Sequence, residues 1–374
     1  MNVKSSFNQH LLQKYPQLTI EQLDLHVSEQ LISPFQVHLE SSIIEQMKSE
    51  IKSYWKLRSW SEKYLAQKYA DFNLRKPSNF AACMSYDFHL SSEKKLELIE
   101  INTNAAFLAL GIELYSFWKL KGVDPLFTTE KLVQMFQHEI ILTGKASTSP
   151  SVAIFDENPY EQRLYIEFLL FKSLFEKFKV GSEIINLPDA EQLKKFSLVY
   201  NRYTDFYLQN EKSLQTKEMF NAGQIELSPH PYEYFLLADK QRLIDWNLQT
   251  DIEKPASLLA VYDLATSDRA EIWGKRKSLF FKPKTSFGGK QAYRGTSIST
   301  KAFDSIYQDG FIAQKISAPP EIEVNYLGSA MKFKYDLRCY AYQDELQLVI
   351  ARLYQGQTTN LNTPGGGFAC VVFN

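Results

Sequence analysis

Residues 151–186 restrict the fold more than any other stretch. SVAIFD (151–156) is an apolar strand of the buried kind, NPYEQRLYIEFLLFKSLFEKFK (158–179) has the spacing of an amphipathic helix, and GSEIINL (181–187) supplies a second strand. Strand, helix and strand at these distances predict a parallel βαβ unit, and so an α/β (α+β) fold class.

The rest of the chain must be large enough to pack against such a sheet. With 374 residues, of which 44% are hydrophobic and 14% aromatic, two or three packed units with a sizeable core are expected and wholesale disorder is excluded. A formal net charge of −1 gives no overall field toward nucleic acid or an anionic membrane, so neither is expected as a partner. The opening MNVKSSFNQHLLQKYPQ lacks the apolar core of a signal peptide, and no run reaches membrane-spanning length. Cys83, Cys339 and Cys370 lie too far apart for a disulfide framework or a zinc pattern. The expectation is a cytoplasmic protein with reduced thiols.

Residues 19–70 read as helical, with Thr19 as a cap and no glycine before Gly111. Residues 80–103 switch to period-2 patterning around a turn at SSEK (91–94), 105–142 return to helix, and LTGKASTSPS (142–151) reads as a connector. SLVYNRYTDFYL (197–208) suggests a further strand with its exit loop, and a helix is expected near 233–247. The last third alternates strands and turns. The domain division expected is a helical segment at 1–75, a hairpin with helices at 76–145, the βαβ unit at 146–235 and a strand-rich part at 236–374.

LELIEINTN (96–104) places Glu100 and Asn102 two apart on one strand face. With the hairpin closed over SSEK, Leu90 would pair with Lys95 and Asp87 would face Leu98. That leaves Asp87 a diagonal neighbour of Glu100, roughly 7–8 Å away. Two carboxylates and an amide converging in this way suit Mg²⁺, which prefers oxygen ligands. An exposed polar face on an edge hairpin would look the same.

SLFFKPKTSFGGKQAYRG (278–295) runs from an apolar strand into a loop with Gly288, Gly289 and Gly295. Glycines let backbone N–H groups approach phosphate oxygens, and Lys282 adds a point charge. Neither the Walker spacing nor GxGxxG is present, and a plain surface turn remains open. Lys240 is a candidate second phosphate contact or a solvated helix lysine. Gln314 and Glu323, near successive strands, would suit adenine and ribose, or lie on exposed faces. Arg338 and Arg352 stand mid-strand, ahead of Asn360, Asn362 and Gly365–Gly367. Their planar forks suit carboxylate or phosphate, or a structural ion pair.

Taken together, these segments resemble the ATP-grasp ligases, including glutathione synthetase-like carboxylate–amine ligases. In that family an Asp precedes an E-x-N strand by about a dozen residues, and the resemblance implies Mg²⁺ on Asp87, Glu100 and Asn102. KPKTSFGGKQ is similar to the family's phosphate-covering loop and ADKQRL to its DK segment, which implies ATP on Lys240, Lys282, Gly288, Gly289, Gln314 and Glu323. YDLR and ARLYQGQTTNLNTPGGG resemble the D-x-R and A-R…GG stretches, which implies catalytic roles for Arg338 and Arg352 and a substrate contact at Asn360. In ordinary members the carboxylate hairpin closes the sequence. Here it precedes the lysines, as in a circular permutation of the glutathionylspermidine synthetase kind. The implied fold is a permuted ATP-grasp domain with a Rossmann-like preATP-grasp βαβ unit and an added N-terminal helical segment. Asn201 and Arg202 would border the acceptor pocket.

One position departs from the family: Ser85 stands where an Arg usually precedes the metal Asp by two residues, leaving Arg338 or Arg352 to supply that charge. The implied reaction joins a small-molecule or peptide carboxylate to an amine through an acyl phosphate, releasing ADP. A phosphotransferase on the same scaffold, or a non-catalytic nucleotide- or partner-binding protein, fits the same residues. The long N-terminal helices would suit a homodimer.

Overall fold

The structure, a computed structural model, describes residues 3–285, 291–307, 310–357 and 362–374. Its centre is a seven-stranded sheet in the order Val37–Leu39, Gly367–Phe373, Glu345–Tyr354, Ser329–Tyr342, Met84–Leu90 and Leu96–Asn102, with Glu321–Tyr326 paired to the first part of Ser329–Tyr342. The 14-residue strand Ser329–Tyr342 makes this possible. Its residues 329–334 pair with Glu321–Tyr326, while residues 337–341 pair with Met84–Leu90. The hairpin at 84–102 is therefore joined to the chain's last third, and Met84–Leu90 is buried along its whole length.

Strand alternation supplies both faces of this sheet with apolar side chains. On one face Val349, Ala351 and Leu353 meet Ile43, Met47, Ile51, Tyr54 and Leu57 of the 28-residue helix Ser42–Tyr69, spaced at three and four along one helical stripe. On the other face Leu348 and Ile350 meet the helix Leu108–Trp118. Gly111 lets that helix lie close, since a Cβ there would sit 2.9 Å from Leu348 Cδ2. The buried Glu167 carboxylate accepts the Phe107 and Ala109 amide N–H groups at 2.6 and 3.0 Å. It caps the helix start from another element and ties it to the helix Tyr165–Lys177.

The expected βαβ unit is present. A four-stranded parallel sheet runs Gly181–Asn186, Ser151–Asp156, Leu198–Asn201, Leu227–Ser228. Its helix begins only at Tyr165, because Asn158 takes a left-handed φ of 48° and Pro159–Glu161 forms a separate short turn. A third sheet, antiparallel, orders Tyr293–Arg294, Leu279–Pro283, Phe311–Lys315 and Val261–Asp263.

Two expectations need correction. The N-terminal segment is not purely helical: Val37–Leu39 adds a parallel strand to Gly367–Phe373, and Ile32 bridges Phe368. Lys14 and Tyr15 bind Glu113 at 2.6 and 2.5 Å, so the first helix is fastened to the central layer. The helix expected across 233–247 is also broken. Tyr234–Ala238 is a widened π turn, Asp239 is extended, and the helix restarts at Gln241. That interruption sets Asp239 and Lys240 at the mouth of the restarted helix.

Candidate functional site

The carboxylate hairpin turns at Ser91–Lys94 as expected, with Lys94 at a φ of 57°. Its register differs from the reading above. Leu90 faces Leu96, Phe88 faces Leu98, and a bulge between Asp87 and Phe88 brings Asp87 directly opposite Glu100. The extra residue is Ile99, whose carbonyl accepts the Lys282 ammonium at 3.1 Å. Leu98, beside it, accepts the Gln314 amide at 3.1 Å, and Gln314 Oε1 accepts Lys282 at 2.8 Å. A bulge breaks the ladder and leaves backbone groups to be satisfied elsewhere. Here they fasten the Leu279–Pro283 and Phe311–Lys315 strands to the carboxylate strand.

Asp87 is fully buried and sits between two charged neighbours in the sheet, with Glu100 opposite on one side and Arg338 opposite on the other. Arg338 donates Nε to Oδ1 at 3.0 Å and Nη2 to Oδ2 at 2.7 Å, a two-pronged pair. Arg352 adds Nη2 to Oδ2 at 2.8 Å and gives Nε to Asp336 Oδ1 at 2.6 Å. The Ser85 hydroxyl donates to Oδ1 at 3.0 Å. Burial alone would raise the Asp87 pKa, but Arg338 and then Arg352 overcome it and hold the carboxyl at about 2. Burial lowers the Lys240 pKa, opposed by Glu100 and Asp239. It also brings Lys282 down to about 8, with Glu100 and Asp87 pulling upward and Lys240 downward. Both lysines and both arginines thus lie in the field of one carboxylate pair.

Among the described residues no group of three His, Cys, Asp or Glu side chains is arranged to hold a metal ion, so the mixed set of Asp87, Glu100 and Asn102 is the one to test. The Asn102 amide nitrogen stands 3.3 Å from Asp87 Oδ2 and 3.3 Å from Glu100 Oε1. A donor shared by two carboxylates occupies the place a bridging cation would take, and rotation of the amide would present its oxygen. Glu100 and the Asn102 oxygen therefore suit a hard divalent ion, while each Asp87 oxygen already accepts two donors from Arg338, Arg352 and Ser85.

The remaining candidates separate. Gln314 is 2% exposed and belongs to the cluster. Glu323 is on the exposed face of its strand, 3.9 Å from Lys332, opposite the face where Ile322 and Val324 pack on the core. Asn201 turns its side chain onto local backbone, accepting the Tyr203 N–H at 3.2 Å. Arg202 is a half-buried strut whose guanidinium grips the carbonyl and side chain of Asn104, just beyond the carboxylate strand. Gly288, Gly289 and Asn360 lie outside the described residues. Sequence reasoning singled out Ser85 only as the place of an absent Arg and did not name Asp336; in the structure Ser85 bonds Asp87 and Asp336 bonds Arg352. Their position two residues before Asp87 and Arg338, on the same strand faces, was the available signal.

No family model matches the chain, and no curated protein matches it in sequence. In fold it is similar to a glutathione synthetase-like effector (GSS30) from Globodera pallida, solved in its apo form. The TM-score is 0.56 at 10% identity, over 92% of this chain and 90% of that one. A candidate gamma-glutamylcysteine synthetase from Methylobacillus flagellatus matches at a TM-score of 0.44 and 12% identity, over 88% of each chain, and bears no weight here. The chain is a mixed α/β protein with a glutathione synthetase-like fold. No helix among the described residues is long and apolar enough to cross a membrane.

Proposed function

We propose that this protein is an ATP-dependent carboxylate–amine ligase of the ATP-grasp kind, with its carboxylate hairpin permuted ahead of its lysines. One observation carries the reading: Asp87 and Glu100 from the first third of the chain share a site with Lys240, Lys282, Arg338 and Arg352, which come 140 or more residues later. A row of cations facing a carboxylate pair suits a polyphosphate whose charge is balanced by metal and ammonium groups together.

In this reading Lys240 and Lys282 hold the ATP phosphates, and Gln314 orients Lys282. A carboxylate oxygen of the first substrate attacks the γ-phosphorus, the bond to the β-bridging oxygen breaks, and ADP leaves. A neutral amine then attacks the acyl carbon, the C–O bond to phosphate breaks, and inorganic phosphate departs with the electron pair while nitrogen releases a proton. Arg338 and Arg352 stabilise the oxygens that gain charge in both steps. Glu100 and Asn102 would hold Mg²⁺, joined by Asp87 once an arginine turns to the substrate, and the ion when bound offsets phosphate charge.

The test is ADP release from ATP and Mg²⁺ with paired acids and amines, using Glu100→Ala as the blank. Release that needs both substrates and falls at least ~100-fold in the variant supports the ligase. AMP in place of ADP refutes the acyl phosphate. A pH effect accompanies it. Lys282 is charged below about 8 in the unliganded protein, so ATP affinity is fullest below that pH and falls as pH rises through it. Calorimetric titration between pH 7 and 10 should show a loss of up to about tenfold per unit above the transition, absent in Lys282→Arg.

A further inference from the structure

Asp87 has no acceptor capacity to spare. An ionised carboxylate offers about four lone-pair sites, and four donors take them. The Ser85 hydroxyl and Arg338 Nε bond Oδ1, while Nη2 of Arg338 and Nη2 of Arg352 bond Oδ2. A divalent ion drawn to Glu100 and the Asn102 oxygen would find its next oxygen ligand held by two guanidiniums. The surrounding charge opposes a bare ion as well. Asp87, Glu100 and Asp336 face Arg338, Arg352, Lys240 and Lys282, three carboxylates against four cations. Such a site repels a cation and attracts an oxyanion.

The two arginines are held differently. Arg338 commits both Nε and Nη2 to Asp87, directly opposite it in the sheet. Arg352 gives Asp87 only Nη2, at 2.8 Å. Its Nε bonds Oδ1 of the buried Asp336, its own cross-strand neighbour, at 2.6 Å. Turning the end of Arg352 therefore breaks one bond and keeps one, whereas turning Arg338 breaks two. Exposure sets the order of contact. The Arg352 side chain is 14% exposed and Asp87 not at all, so an incoming group meets the guanidinium before the carboxylate.

We propose that Arg352 gates the divalent-ion site and that an oxyanion, carboxylate or phosphoryl, opens it. The oxyanion draws Nη2 away, Arg352 swings about its Asp336 bond, and Oδ2 of Asp87 is released to join Glu100 and Asn102 around the ion. The inference rests on the ligase reading and adds an order to it: the anion binds first, and the ion's third protein ligand follows. Anion and ion then strengthen each other's binding by the same factor, as linkage requires.

The experiment measures binding of Mn²⁺, which shares the oxygen preference of Mg²⁺, to the full-length protein by electron paramagnetic resonance. Chloride, succinate and sulfate are compared at neutral pH and constant ionic strength, succinate carrying the carboxylate chemistry and sulfate the phosphoryl. In the parent at least one oxyanion should tighten Mn²⁺ by ~10-fold or more over chloride, the scale of one charge-assisted hydrogen bond. Arg352→Gln should bind Mn²⁺ that tightly in chloride and gain nothing from either oxyanion. Ser85→Ala, which keeps every charge and frees one lone pair on Oδ1, should tighten Mn²⁺ about threefold. Lys282→Met removes a cation without touching Asp87, and the oxyanion effect should survive it. Equal Mn²⁺ affinity of the parent in all three anions, or an Arg352→Gln protein that still responds to them, overturns the gate. ATP titrated with Mn²⁺ in parallel separates the two readings. Binding that needs Glu100 but shows no oxyanion effect removes the gate alone, whereas failure of ATP to bind removes the ligase reading.

Discussion

An Asp87→Ala variant should lose about 3–5 kcal/mol of folding stability, chiefly the cost of leaving the buried Arg338 guanidinium without its counter-charge. Asp87 is bonded to both Arg338 and Arg352, and Ser85 donates to it as well. Denaturant titration reads the loss as a lowered midpoint with an unchanged slope. A double replacement of Asp87 and Arg338 by Leu and Met, which leaves Arg352 paired with the buried Asp336, should recover much of it, because apolar side chains of like volume remove the desolvation burden along with the charges. The acid limb follows in sign. The folded carboxyl titrates at about 2, below its ordinary value of 3.8, so its contribution is complete above the ordinary value and is lost as pH falls toward 2. Asp87→Asn should flatten stability across that window. An Asp87→Ala protein as stable as the parent would remove the arginine clamp described here.

Lys282→Met should do the reverse, sparing the fold while abolishing nucleotide binding. Bringing an ammonium from 10.5 to about 8 signals a folded state that opposes its charge, by roughly 3 kcal/mol at neutral pH. Methionine lifts that opposition but leaves the Ile99 carbonyl and Gln314 short of a donor, worth about 1–3 kcal/mol. The two terms offset, and the melting temperature should stay near the parent's or rise. ATP affinity and kcat/KM should fall by at least ~100-fold, since a preorganised charge at a phosphate contributes on that scale. Tight ATP binding in a stable Lys282→Met protein would contradict the assignment of the phosphate site.

Much of this was legible in the sequence. The βαβ unit showed in its apolar runs, and the acidic hairpin showed in the two-residue spacing of Glu100 and Asn102 around an evident turn. The rest depends on information that no local pattern carries. Ile99 is an ordinary β-branched strand residue, and nothing near it marks a bulge, yet the bulge decides whether Asp87 meets Glu100 squarely. YFLLA at 234–238 has the composition of a regular helix, and its widened turn holds Tyr234 against Phe206 and Tyr207, neighbours some thirty residues away. Val37–Leu39 is short and pairs with residues more than 330 positions away, so only the assembled sheet identifies it. Glu323 illustrates the opposite limit: E-I-E-V declares two strand faces, and which one borders a cleft is a property of the partners.

The strand Met84–Leu90 lies between a neighbour twelve residues downstream and another almost two hundred and fifty residues downstream. During synthesis its outer edge has nothing to pair with until residue 341 has left the ribosome, and Asp87 has no guanidinium beside it until Arg338 has emerged. A nascent chain stalled before that point would expose an acidic, unpaired sheet edge, a form that chaperones hold and proteases remove. Assembly of the charged centre therefore comes late in synthesis, and refolding should be slow, as expected for a sheet closed by such distant partners.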